Sequence, residues 1–152
     1  MRKTVSTSQS ARVVPILAIP VLSVALLGMS GGIGGHGFAQ SAPPTEHKGL
    51  SIESLGFVPA ESMSAQVDLN GHILLLRRII IQPGGQIAKH SAESTPAVVY
   101  MVSGTWTEGR TSGETEHSAG DTFIEDKNTV HWFYNRGEQP ATALVCDIKP
   151  AS

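Results

Sequence analysis

The sequence has little cysteine, few aromatic residues and little net charge, and the shortages of cysteine and of charge each exclude a class of protein. Cys146 is the one cysteine among 152 residues, and 5% of the residues are aromatic. A single cysteine excludes an internal disulfide framework and a cysteine-rich zinc or iron–sulfur site. A formal net charge of −2 excludes a strongly basic nucleic-acid binder. The sequence also contains no P-loop, dinucleotide fingerprint or nucleophile elbow.

What is present begins with the order of features found in a secretory signal peptide. Three basic residues accompany an apolar run over 13–29, and small residues at Gly37 and Ala39 suit a signal-peptidase site. Two prolines in the run disfavour a permanent membrane helix, although an uncleaved anchor stays the alternative. We therefore predict a signal peptide over residues 1–39 and a periplasmic or secreted protein.

Removal of the leader would make the chain more acidic. Three of the 11 lysines and arginines lie in the leader and all 13 acidic residues follow it, so the mature chain carries a formal charge of about −5. This charge argues against nucleic acid and anionic lipid as partners. Contact with a membrane is expected only if the leader is uncleaved. Cys146 lies in an apolar run and is expected to be a buried, unreactive thiol.

The mature chain has the pattern of short strands separated by turns. A polar, proline-containing linker is predicted over residues 40–50, and one domain over 51–152. Strands are predicted at 73–81, 98–102, 105–108, 121–125, 130–134 and 141–148, with a strong turn at 82–85. Residues 51–57 fit either a turn or an early strand, and no helix is predicted after the leader. The pattern indicates an antiparallel sandwich or barrel.

Two spaced blocks of residues resemble the paired motifs of the cupin superfamily. The first block contains Pro83-Gly84-Gly85, His90 and Gly104, and the second contains Gly120, His131 and Asn135. The resemblance covers about residues 73–147. It implies an all-β fold, namely an antiparallel double-sheet jelly-roll barrel, in which a small-molecule ligand and a second copy of the chain in a homodimer are the expected partners.

The resemblance also implies a metal site, which this chain would hold in incomplete form. His90 and His131 stand at two of the four ligand positions of the family, whereas Ala92 and Ala97 stand where a second histidine and a glutamate are expected. Glu93 and His117 are candidate substitute ligands for Fe, Mn, Ni, Cu or Zn. The alternative interpretations are a surface histidine at position 90 and a hydrogen-bonded core histidine at position 131.

Aromatic and acidic residues supply the remaining candidates. Tyr100, Trp106 and Phe133 are candidate pocket walls, and the alternative is that they fill the core or a dimer face. Alternation places His131 and Phe133 on one face of their strand. The acidic residues between 114 and 126, Glu125 among them, are interpreted as a solvated rim. No catalytic residue is assigned.

Three functions are compatible with this sequence. The first is an exported small-molecule-binding barrel with an incomplete metal site. The second is a metal-dependent cupin enzyme, an oxygenase or isomerase of small organic molecules. The third is a structural or assembly protein that acts through a dimerised barrel. The alanines at two ligand positions favour the first function over the second.

Overall fold

The computed structural model describes residues 42–151, and the predicted signal peptide lies outside them. This part of the chain contains eight strands and one helix, which follow one another as β1 (Lys48–Val58), α1 (Ala60–Val67), β2 (His72–Ser91), β3 (Ala97–Ser103), β4 (Thr105–Arg110), β5 (Gly113–Ser118), β6 (Thr122–Glu125), β7 (Val130–Tyr134) and β8 (Ala141–Pro150). Within residues 42–151, no helix has the length and apolar character needed to cross a membrane.

The strands form an all-β, nearly closed antiparallel barrel in which β2 belongs to both halves. The strand order is β5-β4-β7-β2-β8-β3-β6, and β1 pairs with β2 beside this path. Residues 72–81 of β2 pair with β8, and residues 86–91 pair with β7. One side of the barrel therefore contains β1, β8, β3 and β6, and the other contains β7, β4 and β5.

The predicted turn at residues 82–85 is a bend inside β2 and does not end the strand. Gly84 has a φ of 68°, which a residue with a side chain rarely adopts. A Cβ on Gly85 would lie 2.7 Å from the carbonyl oxygen of Gln82. The glycines therefore allow β2 to leave β8 after Ile81 and to join β7 from Gln86 onwards within one strand.

Asn135, the residue that follows β7, holds this bend in place through hydrogen bonds. Its buried Nδ2 donates hydrogen bonds of 2.8 Å to the carbonyl oxygens of Ile81 and Gln139. Its backbone N–H donates to Gly85 O, and its carbonyl accepts from Gly84 N–H. The asparagine of the second block thus has a structural role at the place where β2 changes sheets.

Two local elements differ from the sequence prediction, and a third resolves a choice that it left open. The prediction of no helix was wrong, because α1 follows Pro59 and ends at Val67, where Asp68 caps it with a left-handed φ of 58°. Met63 is the one buried residue of α1, so the sequence has no clear helical periodicity there. β5 was not predicted because its residues are polar and mostly exposed. Residues 51–57 lie in β1, which settles the choice between a turn and a strand.

Alternating residues of the strands supply the core. In β8, residues 141, 143, 145 and 147 are buried while their neighbours are partly exposed. The main cluster consists of inward-facing aliphatic and aromatic side chains: Ile79, Ile81, Ile87, Ala97, Val99, Met101, Trp106, Phe133, Ala141, Ala143 and Val145. Cys146, expected to be buried, lies between these inward positions and is partly exposed.

Residues 42–47, which belong to the predicted linker, lie against the barrel. Pro44 is buried, and its carbonyl accepts a hydrogen bond of 2.8 Å from Lys89 N–H. His47 Nδ1 accepts a hydrogen bond of 3.1 Å from Ala88 N–H. These contacts bring the His47 ring to the wall of the internal cavity described below.

Candidate metal centre

Three side chains from three strands bring possible metal ligands together inside the barrel. His90 lies at the end of β2, Glu125 at the end of β6 and His131 near the start of β7. Their ligand atoms all lie within 4.8 Å of one another. His131 Nε2 is 3.1 Å from His90 Nε2 and 3.5 Å from Glu125 Oε1. His90 and His131 are cross-strand partners, which places their rings side by side.

The hydrogen bonds of the two Nδ1 atoms determine that the Nε2 atoms of His90 and His131 face each other and Glu125. His131 Nδ1–H donates to Glu108 Oε1 at 2.7 Å, and His90 Nδ1–H donates to the Ala88 carbonyl at 2.9 Å. Both acceptors are oxygens without a proton to give, so each neutral ring carries its proton on Nδ1. Both Nε2 atoms then present lone pairs to each other and to the carboxylate of Glu125.

This donor set fits a divalent metal ion. Two lone pairs 3.1 Å apart repel unless a proton or a cation lies between them. Nitrogens bound at about 2.1 Å and at right angles to one another lie about 3 Å apart, which agrees with the observed separation. Two imidazoles and one carboxylate are a set that first-row transition metals accept. His90, Glu125 and His131 would therefore hold the ion.

Glu108 on β4 hydrogen-bonds His131 Nδ1, the ring nitrogen that points away from the candidate metal site. Its carboxylate accepts hydrogen bonds from His131, from His117 Nε2 at 3.1 Å and from Arg110 Nε at 2.8 Å. Burial raises the pKa of Glu108, but the hydrogen bonds and the Arg110 charge outweigh burial and lower the pKa to about 2. Glu108 is therefore ionised at neutral pH and fixes the orientation and the tautomer of the His131 ring.

Glu125 is in a different electrostatic environment. Burial in the barrel raises the pKa of its carboxyl above the ordinary value. Its side chain is 12% exposed, so the interpretation of Glu125 as part of a solvated rim is wrong. A largely buried carboxylate that faces two imidazole lone pairs is a suitable anionic ligand for a cation.

The strand register explains how Glu125 reaches this position. Ala97 of β3 is the direct cross-strand partner of Glu125 of β6. The sequence resemblance places the glutamate ligand of the family at Ala97. Side chains that are directly opposite one another in paired strands point to the same face. The carboxylate thus enters the barrel from the neighbouring strand, and the small side chain of Ala97 leaves space for it.

Two members of this His90–Glu125–His131 triad, His90 and Glu125, line a cavity of about 310 Å³. Its wall is mostly aliphatic and aromatic, with polar groups at a few places, and it is formed by His47, Leu50, Ile52, Arg77, Ile79, Ile87, His90, Ala92, Thr95, Trp106, Glu125, Phe133 and Val145. An apolar wall with a few convergent polar groups is typical of a small-molecule site.

The structure places some of the predicted metal-ligand and pocket residues at the site and the others away from it. It brings His90 and His131 together, and it places Trp106 and Phe133 on the cavity wall. Glu93 lies exposed in the turn after β2, and His117 hydrogen-bonds Glu108; neither belongs to the triad. Tyr100 lies on the outer face of β3 with 46% exposure and is not part of the cavity wall. The metal-ligand roles of His90 and His131 stay predictions.

Sequence reasoning missed Glu125 and Glu108. Both carboxylates lie at inward-facing positions of short strands, at 125 in β6 and at 108 in β4. Alternation with Phe123 and with Trp106, two apolar residues two positions earlier, was the available signal. The sequence alone contains no signal for which strands pair with β4 and β6, and that pairing brings the two carboxylates to His131.

Comparison with known proteins agrees with this architecture. Residues 77–147 match the family model for the cupin domain. A predicted oxalate decarboxylase from Thermotoga maritima has a similar fold, with a TM-score of 0.53 and 19% identity over 72% of this chain and 95% of that one. The cupin domain of an XRE family transcriptional regulator from Enterobacter cloacae gives a TM-score of 0.51 and 13% identity over 69% and 100% of the two chains.

A third solved structure and a sequence search complete the comparison. KdgF from Halomonas sp. gives a TM-score of 0.51 and 15% identity over 70% of this chain and 87% of that one. No curated protein matches the sequence. At these identities the solved structures indicate the fold alone. The two sequence blocks, the barrel and the family match together support the assignment of residues 77–147 to the cupin superfamily.

Proposed function

We propose that the protein binds a divalent metal through His90, Glu125 and His131 and holds a small organic ligand beside it inside the barrel. The observation that carries this proposal is the 3.1 Å approach of two imidazole nitrogens whose hydrogen-bond partners leave lone pairs on both. Metal ligands must present a lone pair. The adjoining cavity, with mainly apolar walls, supplies the space for an organic molecule.

A metal-dependent enzyme is the second candidate, and the donor set favours it. Two histidines and one carboxylate leave positions open on an ion that accepts six ligands. When bound, such an ion acts as a Lewis acid towards an oxygen of the ligand. The residues of the chain would exclude water through the apolar wall and keep the His131 ring fixed through Glu108. No side chain outside the triad is assigned a catalytic role.

Export and homodimer formation stay predictions beside this proposal. The outer face of the barrel side that contains β3 and β6 exposes Val98, Tyr100 and Ile124, which a second copy of the chain would cover in a homodimer. Removal of the leader over residues 1–39 would leave the triad intact, because all three residues lie beyond position 39. Neither prediction is needed for the proposed metal site.

Metal titration of the purified protein tests the proposal. We expect one equivalent of Zn²⁺ or Mn²⁺ to bind, and we expect Glu125→Ala and His131→Ala to weaken binding by about 100-fold or more, since each removes a ligand. Glu93→Ala is the matched control, because it removes an exposed glutamate outside the triad. Wild-type protein without stoichiometric binding, or an effect of Glu93→Ala equal to that of Glu125→Ala, would contradict the proposal.

A further inference from the structure

A second group of charged side chains faces the interior of the same barrel. Arg77 of β2 and Asp147 of β8 are diagonal neighbours, because Arg77 pairs with Val145 and Asp147 pairs with Leu75. Arg77 Nη2 donates a hydrogen bond to Asp147 Oδ2. The side chain of Asp147 is fully buried, while that of Arg77 is 25% exposed and forms part of the cavity wall.

The Arg77–Asp147 ion pair makes too few hydrogen bonds for its contribution to folding stability to explain why it is present. Within residues 42–151, Arg77 Nε and Asp147 Oδ1 are buried without a hydrogen-bond partner. A guanidinium has five N–H donors, and the bond to Asp147 uses one of them. Buried ion pairs whose remaining polar atoms are unpaired commonly stabilise a fold less than apolar residues of the same volume would. A role of Arg77 in ligand binding would explain why the pair is present.

The charges around the cavity indicate the sign of the ligand. Arg77 balances Asp147, and Arg110 balances Glu108. A divalent ion on Glu125 and two neutral histidines, as in the proposed function, adds a net charge of about one positive unit. Arg77 and Glu125 both line the cavity, so a ligand there would contact the guanidinium beside the proposed metal site. A ligand with one negative charge would balance the site.

We propose that Arg77 is an anion subsite that binds the carboxylate of a small organic acid whose apolar part packs against the cavity wall. The proposal rests on the proposed function, because the bound metal ion supplies the net positive charge that the acid would balance. A guanidinium and a carboxylate form paired, charge-assisted hydrogen bonds of matching geometry. The aliphatic wall, which includes Ile79 and Ile87, suits a hydrocarbon substituent. A volume of about 310 Å³ limits the ligand to a small acid.

Calorimetric binding of acids and their neutral amides tests this subsite. We expect benzoate or isobutyrate to bind the wild-type protein at least about tenfold more tightly than benzamide or isobutyramide, because the amides have the same shape without the charge. Arg77→Gln should abolish this preference. Arg78→Gln is the matched control, because Arg78 is the next residue, lies on the outer face and pairs with exposed Glu53.

A second variant covers the case in which Arg77→Gln fails to fold because Asp147 is left unpaired. Arg77→Met/Asp147→Leu removes both charges, and we expect it to fold and to lose the preference for the acid. Equal binding of acids and amides by the wild type, or an unchanged preference in the double variant, would overturn the subsite. Tight binding of inorganic phosphate in place of both acids would also overturn it.

Metal content separates this proposal from the proposed function. We expect Arg77→Gln to keep its metal, because Arg77 is not a ligand. If the wild type binds no metal, the proposed function fails. An acid preference that depends on Arg77 in chelator-treated protein would then still support the subsite. Loss of metal from Arg77→Gln together with loss of acid binding would overturn the subsite, because the effect would then come from the triad.

Discussion

Lowering the pH should reduce the free energy of unfolding by an amount set by Glu108, the buried carboxyl that hydrogen-bonds His131 Nδ1. Glu108 is 4% exposed and accepts hydrogen bonds from His131, His117 and Arg110. Its pKa falls from 4.5 to about 2 in the folded protein, because these hydrogen bonds outweigh the effect of burial. One pKa unit corresponds to 1.36 kcal/mol, so the shift corresponds to about 3 kcal/mol of unfolding free energy.

The sign of this effect follows from which state takes up the proton first. Between pH 4.5 and about 2, the unfolded chain protonates this carboxyl while the folded chain keeps it ionised. Glu108 therefore contributes its full stability above pH 4.5, and the contribution is lost as the pH falls towards about 2.

Urea unfolding of wild type and Glu108→Gln at a series of pH values measures this contribution. Glutamine keeps an oxygen that accepts from His131 Nδ1–H but does not titrate. Other carboxyls titrate in both proteins and cancel in the comparison. We expect the advantage of the wild type to shrink by about 3 kcal/mol between pH 5.5 and pH 2, whereas Glu93→Gln, a change in an exposed turn, follows the wild type. An advantage that does not change with pH would refute the reasoning.

Two further predictions test the strand register and the packing. Glu125→Ala/Ala97→Glu moves the carboxylate to the directly opposite residue of β3, and we expect it to recover Zn²⁺ binding, measured by titration, that Glu125→Ala loses; no recovery would contradict the relocation. Gly109→Ala would place a Cβ into the indole of buried Trp132. We therefore expect the free energy of unfolding, measured by thermal unfolding, to fall by about 1–3 kcal/mol. Gly56→Ala meets no atom within 4 Å and is its control; an equal loss would contradict the packing argument.

Much of the barrel could be predicted from local sequence. The strand predicted at 130–134 has the observed bounds, and the strand predicted at 98–102 lies within Ala97–Ser103. Apolar residues that alternate or cluster between glycine and proline turns determine such strands. The polar strand β5 and the helix α1 lack these patterns, because few of their side chains are buried. A strand or helix can therefore be predicted from the sequence where it buries a face, because burial requires the apolar pattern that is recognised.

The site could be predicted in part. The motif spacing placed His90 and His131 in one hollow, and their Nε2 atoms are 3.1 Å apart. Glu93 is close to His90 in sequence, but it follows the end of β2 and lies in an exposed turn. Glu125 is distant from His90 in sequence, but the pairing of β6 with β3 brings it into the cavity. Long-range strand pairing therefore decides which carboxylate meets the two histidines, and a short window of sequence does not contain that information.

Crystallography with a bound transition metal tests the central claim most directly. Crystals of the protein grown with Mn²⁺ or Zn²⁺ would be measured at the absorption edge of the metal. We predict one anomalous peak about 2.0–2.3 Å from His90 Nε2, from His131 Nε2 and from a carboxylate oxygen of Glu125. A peak elsewhere, or none between the two imidazoles at full metal loading, would contradict the account.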